Sequence, residues 1–418
     1  MRIAVLAGGV PNPTSGGGAL TVWSVVLALA DRGHEVTVLP LVRPDGADPS
    51  GLGAAHRLEA LREIGVSVRP VLSRAGEPGA ARSRSTDLFP TLVDAGAVRE
   101  AVAAVGPEAV FAYHFEALAA SRSVDAPRLA AVGDPPHLPA LYRWRAGPKP
   151  SGLRRARSEI AVRRRARRQE RLAVALLREC EAAGAFAAHH AAELRRAGVA
   201  GCEYLRTPIP DPIGPAWRDE RERRAAAAGR PTILLIGHLS GTVTLDGLRL
   251  FAREILPRLD AALGRDGFEV RIVGGYEGPP SLREALSHPA VRFCGHSEDA
   301  HEEFLGADIL LVPNAIPLGV RVRILSGFSY GCCVVSHAAN RRGIPELADG
   351  ENALVGDSPE RLAEAVLAAL GDRRLRARLE SGARGTYEQS FSLDAAGGRI
   401  EEILEGIAEA TRSGRASR

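Results

Sequence analysis

Residues 316–336, IPLGVRVRILSGFSYGCCVVS, run from a Pro-Leu-Gly turn through a short helix of small and apolar residues into an apolar strand. Two arginines, Arg321 and Arg323, stand at the mouth of that helix, where unpaired backbone N–H groups already make the chain electropositive. An anion is the natural counterpart, and the flanking sequence says what kind of sheet presents it. Upstream lie strand PTILLIGHLS, a helix from about Leu245 to Leu263, strand FEVRIVGG, helix PSLREAL, strand AVRFCG, helix SEDAHEEFLGA and strand DILLVPN. Downstream, strand CCVVSH leads into helix SPERLAEAVLAALG. Short apolar strands alternating with helices are the pattern of a doubly wound parallel sheet.

The first half repeats the pattern. Residues 3–7 are apolar, a Gly/Pro-rich loop GGVPNPTSGGG follows, and ALTVWSVVLALADRGHEVTVLPL reads as a helix stopped by Gly33 and a strand at 35–41. VSVRPVL, AVFAYH and RLAAVGD are further strands, with DAGAVREAVAAVG as a helix between them. AGAFAAHHAAELRRAG and CEYLRTPIPDPIG close this half in a proline-rich connector, with a hinge expected near Pro208–Pro215. The expectation is α/β: two Rossmann-like domains, 1–208 and 209–385, facing across a cleft. A C-terminal helix over 386–410 is expected to return to the first domain, followed by a disordered tail over 411–418.

At 418 residues, two cores are the default. Hydrophobic residues at 45% and charged residues at 25% are ordinary for a soluble globular protein. Lys149 is the sole lysine among 54 basic residues. Codon usage in a GC-rich genome explains this, and it means that an anion site must use Arg, His or backbone N–H groups. The five cysteines are scattered without a C-x-x-C pair, so neither a disulfide framework nor a zinc site is indicated. RIAVLA is too short for a signal peptide, and no stretch reaches 18 apolar residues. A reducing cytoplasm is the expected location.

From Leu141 to Leu172, twelve Arg/Lys face two Glu. The second part of this tract can form a long basic helix. It is either a solvated surface or, over 142–172, a contact with anionic lipid at the inner face of the membrane or with a polyanionic acceptor. Nucleic acid is not expected, since aromatics are only 5% and no reader motif occurs.

In order and spacing, these pieces resemble the two-Rossmann-domain (GT-B) glycosyltransferases of the retaining family four, or group 1, type. The resemblance spans nearly the whole chain. It is carried by RIAVLAGG…SGGG…LALADRGHEVTVL, ILLIGHLS…LDGLRLFAREILPRL, VRIVGG, VRFCGHSED, FLGADILLVPN, GVRVRILSGFSYGCCVVS, GIPELADGENALV and RARLESGARGTYEQSFSL. It implies a bacterial enzyme and a nucleoside-diphosphate sugar as co-substrate, with no cofactor. In such enzymes the Gly-x-Arg-x-Lys/Arg turn faces the diphosphate, which here points to Gly319, Arg321 and Arg323. Residues i and i+2 do not share a helix face, so one arginine is expected to be solvated, and Arg321 is the favoured ligand. Its charge-assisted hydrogen bonds strengthen as the leaving diphosphate gains charge, so Arg321 is also a catalytic candidate.

The chain departs from the family pattern in three places. The two carboxylates of this helix fall on Leu318 and Ser326, and Ser326 would hold the ribose hydroxyls more weakly than a Glu. The basic residue after Gly237 of LLIGHLS is His238, and the lysine that relatives carry beyond it is absent. In the first half, Gly133-Asp134 stands where relatives carry a His-Asp pair, with His137 three residues on. Asp134, at a strand's carboxyl end, is either a catalytic contact of the transferred sugar or a cap before Pro135-Pro136. His114, at another strand end, is either a structural hydrogen-bonder or an acceptor-side contact, and His137 is a second acceptor-side candidate. Gly16, Gly17 and Gly18 form a loop able to approach phosphate or sugar. His296 would lie beside the base.

No Asp-x-Asp occurs in the sequence, so no metal is expected to clamp the diphosphate. The expected reaction is a metal-independent sugar transfer to a small-molecule, lipid or glycan acceptor with the anomeric configuration retained. Alternatives are a catalytically silent binding protein or partner subunit of the same fold, motivated by the missing carboxylates, and a sugar-nucleotide epimerase.

Overall fold

Strands that are apolar on both faces can pair only inside a sheet covered by helices on both sides, and the chain builds two such sheets. A computed structural model describes residues 1–14, 16–42, 54–72, 95–146, 149–227, 229–275, 278–297 and 300–416. They form two units, Met1–Pro208 with Ala396–Arg418, and Ile209–Ala395.

The first unit runs β1 (Arg2–Ala7), α1 (Gly17–Asp31), β2 (Glu35–Val42), α2 (Ala54–Glu63), β3 (Ser67–Val68), β4 (Val71–Leu72), α3 (Ala95–Val105), β5 (Ala109–Tyr113), α4 (His114–Ala120), β6 (Arg128–Val132), α5 (His137–Ala146), α6 (Gly152–Arg178), β7 (Ala182–Ala185), α7 (Ala188–Arg196) and β8 (Glu203–Tyr204). Its sheet is parallel in the order β3-β2-β1-β5-β6-β7-β8, with β4 also pairing β2. Ile3, Ala4, Val5, Leu6, Val110, Phe111 and Leu129 are wholly buried, which is why these strands read as unbroken apolar runs. The chain winds outward from β1 to β3, then returns to β5 on the other side of β1. Loops leaving β1 and β5 therefore part in opposite directions and open a crevice at the strands' carboxyl ends.

The second unit runs α8 (Trp217–Ala227), β9 (Thr232–Ile236), α9 (Thr242–Leu250), a π turn (Phe251–Ile255), α10 (Leu256–Leu263), β10 (Glu269–Val273), α11 (Pro280–Ala285), β11 (Val291–Gly295), α12 (His301–Gly306), β12 (Ile309–Val312), α13 (Val322–Ser329), β13 (Val334–His337), β14 (Leu354–Gly356), α14 (Pro359–Gly371) and α15 (Arg373–Ser390). Its parallel order, β11-β10-β9-β12-β13-β14, places the same reversal between β9 and β12. α16 (Leu393–Ala416) starts at the end of this unit, and from Ala396 on it belongs to the first. There Gly397 packs so closely that a Cβ would stand 2.5 Å from the Ala28 Cβ. His34 Nε2 meets Glu401 at 2.6 Å, and Arg399 clamps Glu203.

Four expectations need correction. The helix expected over 245–263 starts at Thr242 and is broken by the π turn, which precedes Pro257, a residue with no N–H to give. The single helix expected over 386–410 is two, parted at Phe391-Ser392, where the Ile209 amide takes the Phe391 carbonyl and the Ser392 hydroxyl caps Ala395. The tail expected to be disordered over 411–418 is helical as far as Ala416, and Ser417 and Arg418 lie outside the described residues. Gly17 and Gly18, expected in a loop, form the first turn of α1.

Candidate functional site

In the second unit, Arg321 is the N-cap of α13, outside the helix at φ −89° and ψ 83°. Its Nη2 donates to the Ile316 carbonyl at 2.8 Å, which folds the side chain back over the loop entering the helix. Arg323 lies one step inside the helix and reaches toward the end of β9. Its Nη2 donates to Thr244 Oγ1 at 3.0 Å, and its guanidinium occupies the space beside Gly237. A Cβ on Gly237 would stand 2.5 Å from that group, and Gly237 itself sits at φ 150°, a conformation only glycine takes easily.

No carboxylate meets Arg323 among the described residues. Burial, and then the like charge of Arg321, push its pKa down to about 9. The second arginine is therefore not the solvated member of the pair. Arg321 precedes the helix, so no helical wheel separates the two side chains. Two guanidiniums and the first-turn amides of α13 make a concentration of positive charge, with no carboxylate of the described residues facing Arg323.

The other residues singled out in this unit lie in loops that follow the strands or, for Ser326, on α13 itself. Gly319, at φ 66°, turns the chain into α13, with its carbonyl so close to Gly343 that a Cβ there would be 2.5 Å away. Ser326 follows Arg323 by three positions and shares its helix face. His238 is exposed in the loop after β9, with Nδ1 at 2.7 Å from the Ser240 hydroxyl. His296, also exposed, follows β11, and Gly275 stands beside it. Thr244 and Asn314, which line the small cleft under Arg323 between β9 and β12, were not legible as site residues.

In the first unit the crevice between β1 and β5 holds a cavity of about 740 Å³. Of the residues expected to act here, Gly18, His114 and Asp134 line it, while Gly16 and Gly17 stand just ahead of Gly18 at the N-terminus of α1. His137 does not line it: the ring starts α5, and burial lowers its pKa against the opposing charges of Glu170 and Glu193. His114 is not the last residue of a strand but the first of α4, at φ 69°, the only non-glycine with positive φ among the described residues. Such strain is held where surrounding structure over-determines it. Burial pushes its pKa down to about 4, so the ring is neutral near pH 7.

Around these stand residues the sequence did not reveal. Tyr113 places its hydroxyl 3.0 Å from where a Cβ on Gly133 would be, and burial followed by the Asp134 charge pushes its pKa up. Glu116 sets a carboxylate oxygen 3.0 Å from the Cβ position of Gly8. Arg143 of α5 and Arg165 and Gln169 of α6 complete the wall, with Val10, Val22, Pro136 and Val162 supplying apolar surface. The cavity thus offers carboxylates, a neutral imidazole and two guanidiniums on a mainly apolar frame, suited to a bulky molecule carrying hydroxyls.

Comparison with known proteins agrees with the architecture. Residues 230–372 match the family model described as Glycosyl transferases group 1, so the resemblance read from the sequence holds over the second sheet. No curated protein matches the chain by sequence. Among solved structures, sucrose-phosphate synthase from Thermosynechococcus elongatus is 16% identical with a TM-score of 0.68, covering 98% of this chain and 99% of that one. Anabaena HepE in complex with UDP-glucose is 15% identical with a TM-score of 0.68, covering 97% and 100%. A glycosyltransferase from Rickettsia africae is 13% identical with a TM-score of 0.64, covering 97% and 98%. At these identities the likeness establishes the GT-B fold.

Proposed function

We propose that this chain is a glycosyltransferase that moves a sugar from a nucleoside-diphosphate sugar to an acceptor. The observation that carries the reading is Arg323, a half-buried guanidinium with a second guanidinium beside it and no carboxylate meeting it among the described residues. Burying charge in this way costs stability unless an anion arrives. A diphosphate supplies two phosphoryl groups to two guanidiniums and the α13 amides, and this is why the reading needs no metal. HepE, a structural relative, binds UDP-glucose, and a uridine donor is one arm of the test below.

In this reading the donor diphosphate sits on Arg321, Arg323 and the turn at Gly319, with Gly237, His238, His296 and Ser326 around the nucleoside and the sugar. The acceptor occupies the cavity of the first unit, where Asp134 and His114 hydrogen-bond hydroxyls. As the bond from the anomeric carbon to the phosphate oxygen breaks, negative charge grows on the diphosphate, and both arginines stabilise it more strongly than in the ground state. The acceptor oxygen forms the new bond on the same face, and its proton passes to the departing phosphate, leaving the anomeric configuration retained. The protein is read as bacterial, of the family four type and cytoplasmic, working peripherally at the membrane's inner face.

Incubation with UDP-, GDP- and dTDP-sugars and a panel of hydroxylated acceptors tests the reading. Nucleoside diphosphate release that depends on acceptor, with a retained anomer by proton NMR, is expected. An inverted anomer contradicts retention. Nucleotide binding without any transfer leaves the silent binding protein, which the serine at position 326 in place of a carboxylate would then explain.

A further inference from the structure

Helix α6 carries two stripes. Val162, Ala166, Gln169, Ala173 and Leu176 repeat at helical spacing on its inner side, where Ala173 and Leu176 join the core and Val162 and Gln169 line the cavity. On the opposite side Leu153, Arg157, Ile160, Arg164, Arg167 and Arg171 follow at intervals of four and three residues, and all six are exposed. Leu153 is 80% exposed and Ile160 51%, and among the described residues these are the large apolar side chains left in water. A surface helix normally turns such residues inward. The two acids of the helix lie off this stripe. Glu159 meets Arg163 at 2.6 Å on one flank, and Glu170 lies near it around the helix. None of the four stripe arginines meets a carboxylate among the described residues.

We propose that this stripe docks the first unit on an anionic lipid surface, with α6 lying in the plane of the bilayer. Leu153 and Ile160 enter the acyl boundary, and the arginines hold their guanidiniums at the phosphate level while their stems cover the apolar edge. Branched aliphatic side chains two turns apart within a row of arginines need an apolar phase beside an anionic one. A lipid interface offers both, whereas a nucleic-acid backbone offers only the charge. No helix of the described residues is long and apolar enough to cross a membrane, so the attachment is peripheral. It stands on the exposed stripe and does not depend on the glycosyl-transfer reading.

The test is vesicle flotation of the full chain, with neutral phosphatidylcholine in one arm and phosphatidylcholine containing about one-third anionic phosphatidylglycerol in the other. The proposal expects binding to anionic vesicles only, weakened by salt. Leu153→Ser with Ile160→Ser, and separately Arg157→Gln with Arg164→Gln and Arg167→Gln, are each expected to lower the partition by on the order of tenfold or more. These positions are exposed, and unchanged thermal melts show that the variants fold. Equal binding to both vesicles, binding to neither, or binding unchanged in the Leu153/Ile160 variant overturns the proposal. A duplex RNA that binds while vesicles do not also overturns it and assigns the stripe to nucleic acid. Transfer activity on a soluble acceptor is read separately, so its loss and the loss of docking remain distinguishable.

Discussion

The Arg323 guanidinium occupies the space that a side chain on Gly237 would need, with its nearest nitrogen 2.5 Å from the Cβ position. One residue of α13 and one at the end of β9 are thereby locked together, and the lock puts a half-buried positive charge at the topological reversal of the second sheet.

Gly237→Ala is expected to push the guanidinium out of place and to force a side chain into φ 150°. Stability should fall by about 1–3 kcal/mol, a range typical of strained backbone positions. Affinity for the nucleotide should fall with it, measured by calorimetry at a temperature where the variant is folded.

Arg323→Met is expected to separate function from stability. Without ligand the variant should be as stable as the wild type or more so, because it removes a desolvated charge held beside Arg321. In the presence of saturating nucleoside diphosphate, the wild type should gain thermal stability and the variant should gain much less.

The depressed pKa of Arg323, about 9, sets a pH dependence. Between that value and the ordinary arginine range, the unfolded chain binds the proton that the folded chain has lost, so this residue's destabilising effect fades as pH rises through 9. Diphosphate binding favours the charged form, so affinity should drop above about pH 9 and proton uptake should accompany binding there. Titrations in buffers of different ionisation enthalpy check this, and Arg323→Met should abolish the proton uptake.

His114 gives the opposite end of the pH scale. Its folded pKa, about 4, lies below the free imidazole value, so stability contributed by the neutral ring is lost as pH falls from the unfolded value toward 4. His114→Asn tolerates the positive φ better than most non-glycine substitutions and should flatten this slope in melts taken across that window. His114→Val should cost at least about 1–2 kcal/mol, because a β-branched residue resists the left-handed conformation.

Arg384, 4% exposed along its side chain, clamps Asp211 and also donates to Glu388 and the Ser329 carbonyl. Its removal strands the acid that follows the proline-rich crossing. Arg384→Met is expected to cost about 1–3 kcal/mol, because the Ser329 carbonyl loses its donor while water still reaches Asp211 and Glu388, read as a lowered denaturation midpoint.

The alternation of strands and helices was legible because each strand is buried on both faces and so reads as an uninterrupted apolar run, as RIAVLA and TILLI do. The two short pieces β13 and β14 show the limit: CCVVSH was clear, while LVG, three residues long, carries no period to read. Among the candidate residues, the positions of Gly237, His114 and Asp134 were legible, since each follows a strand that reads as an apolar run. Arg143, Arg165 and Gln169 were not, because they come from helices distant in sequence and only tertiary packing brings them to one cavity. Arg323 was undervalued for a local reason: helical geometry was applied to a pair of which one member precedes the helix.

The most direct measurement is calorimetric titration of UDP, GDP and dTDP into the wild type and Arg323→Met, both verified as folded. At least one nucleotide should bind the wild type, and its affinity should fall by about 10- to 100-fold in the variant, the loss of one charge-assisted contact. Equal affinity in the two proteins, or no heat with any nucleotide, would contradict the assignment of this arginine pair to a diphosphate.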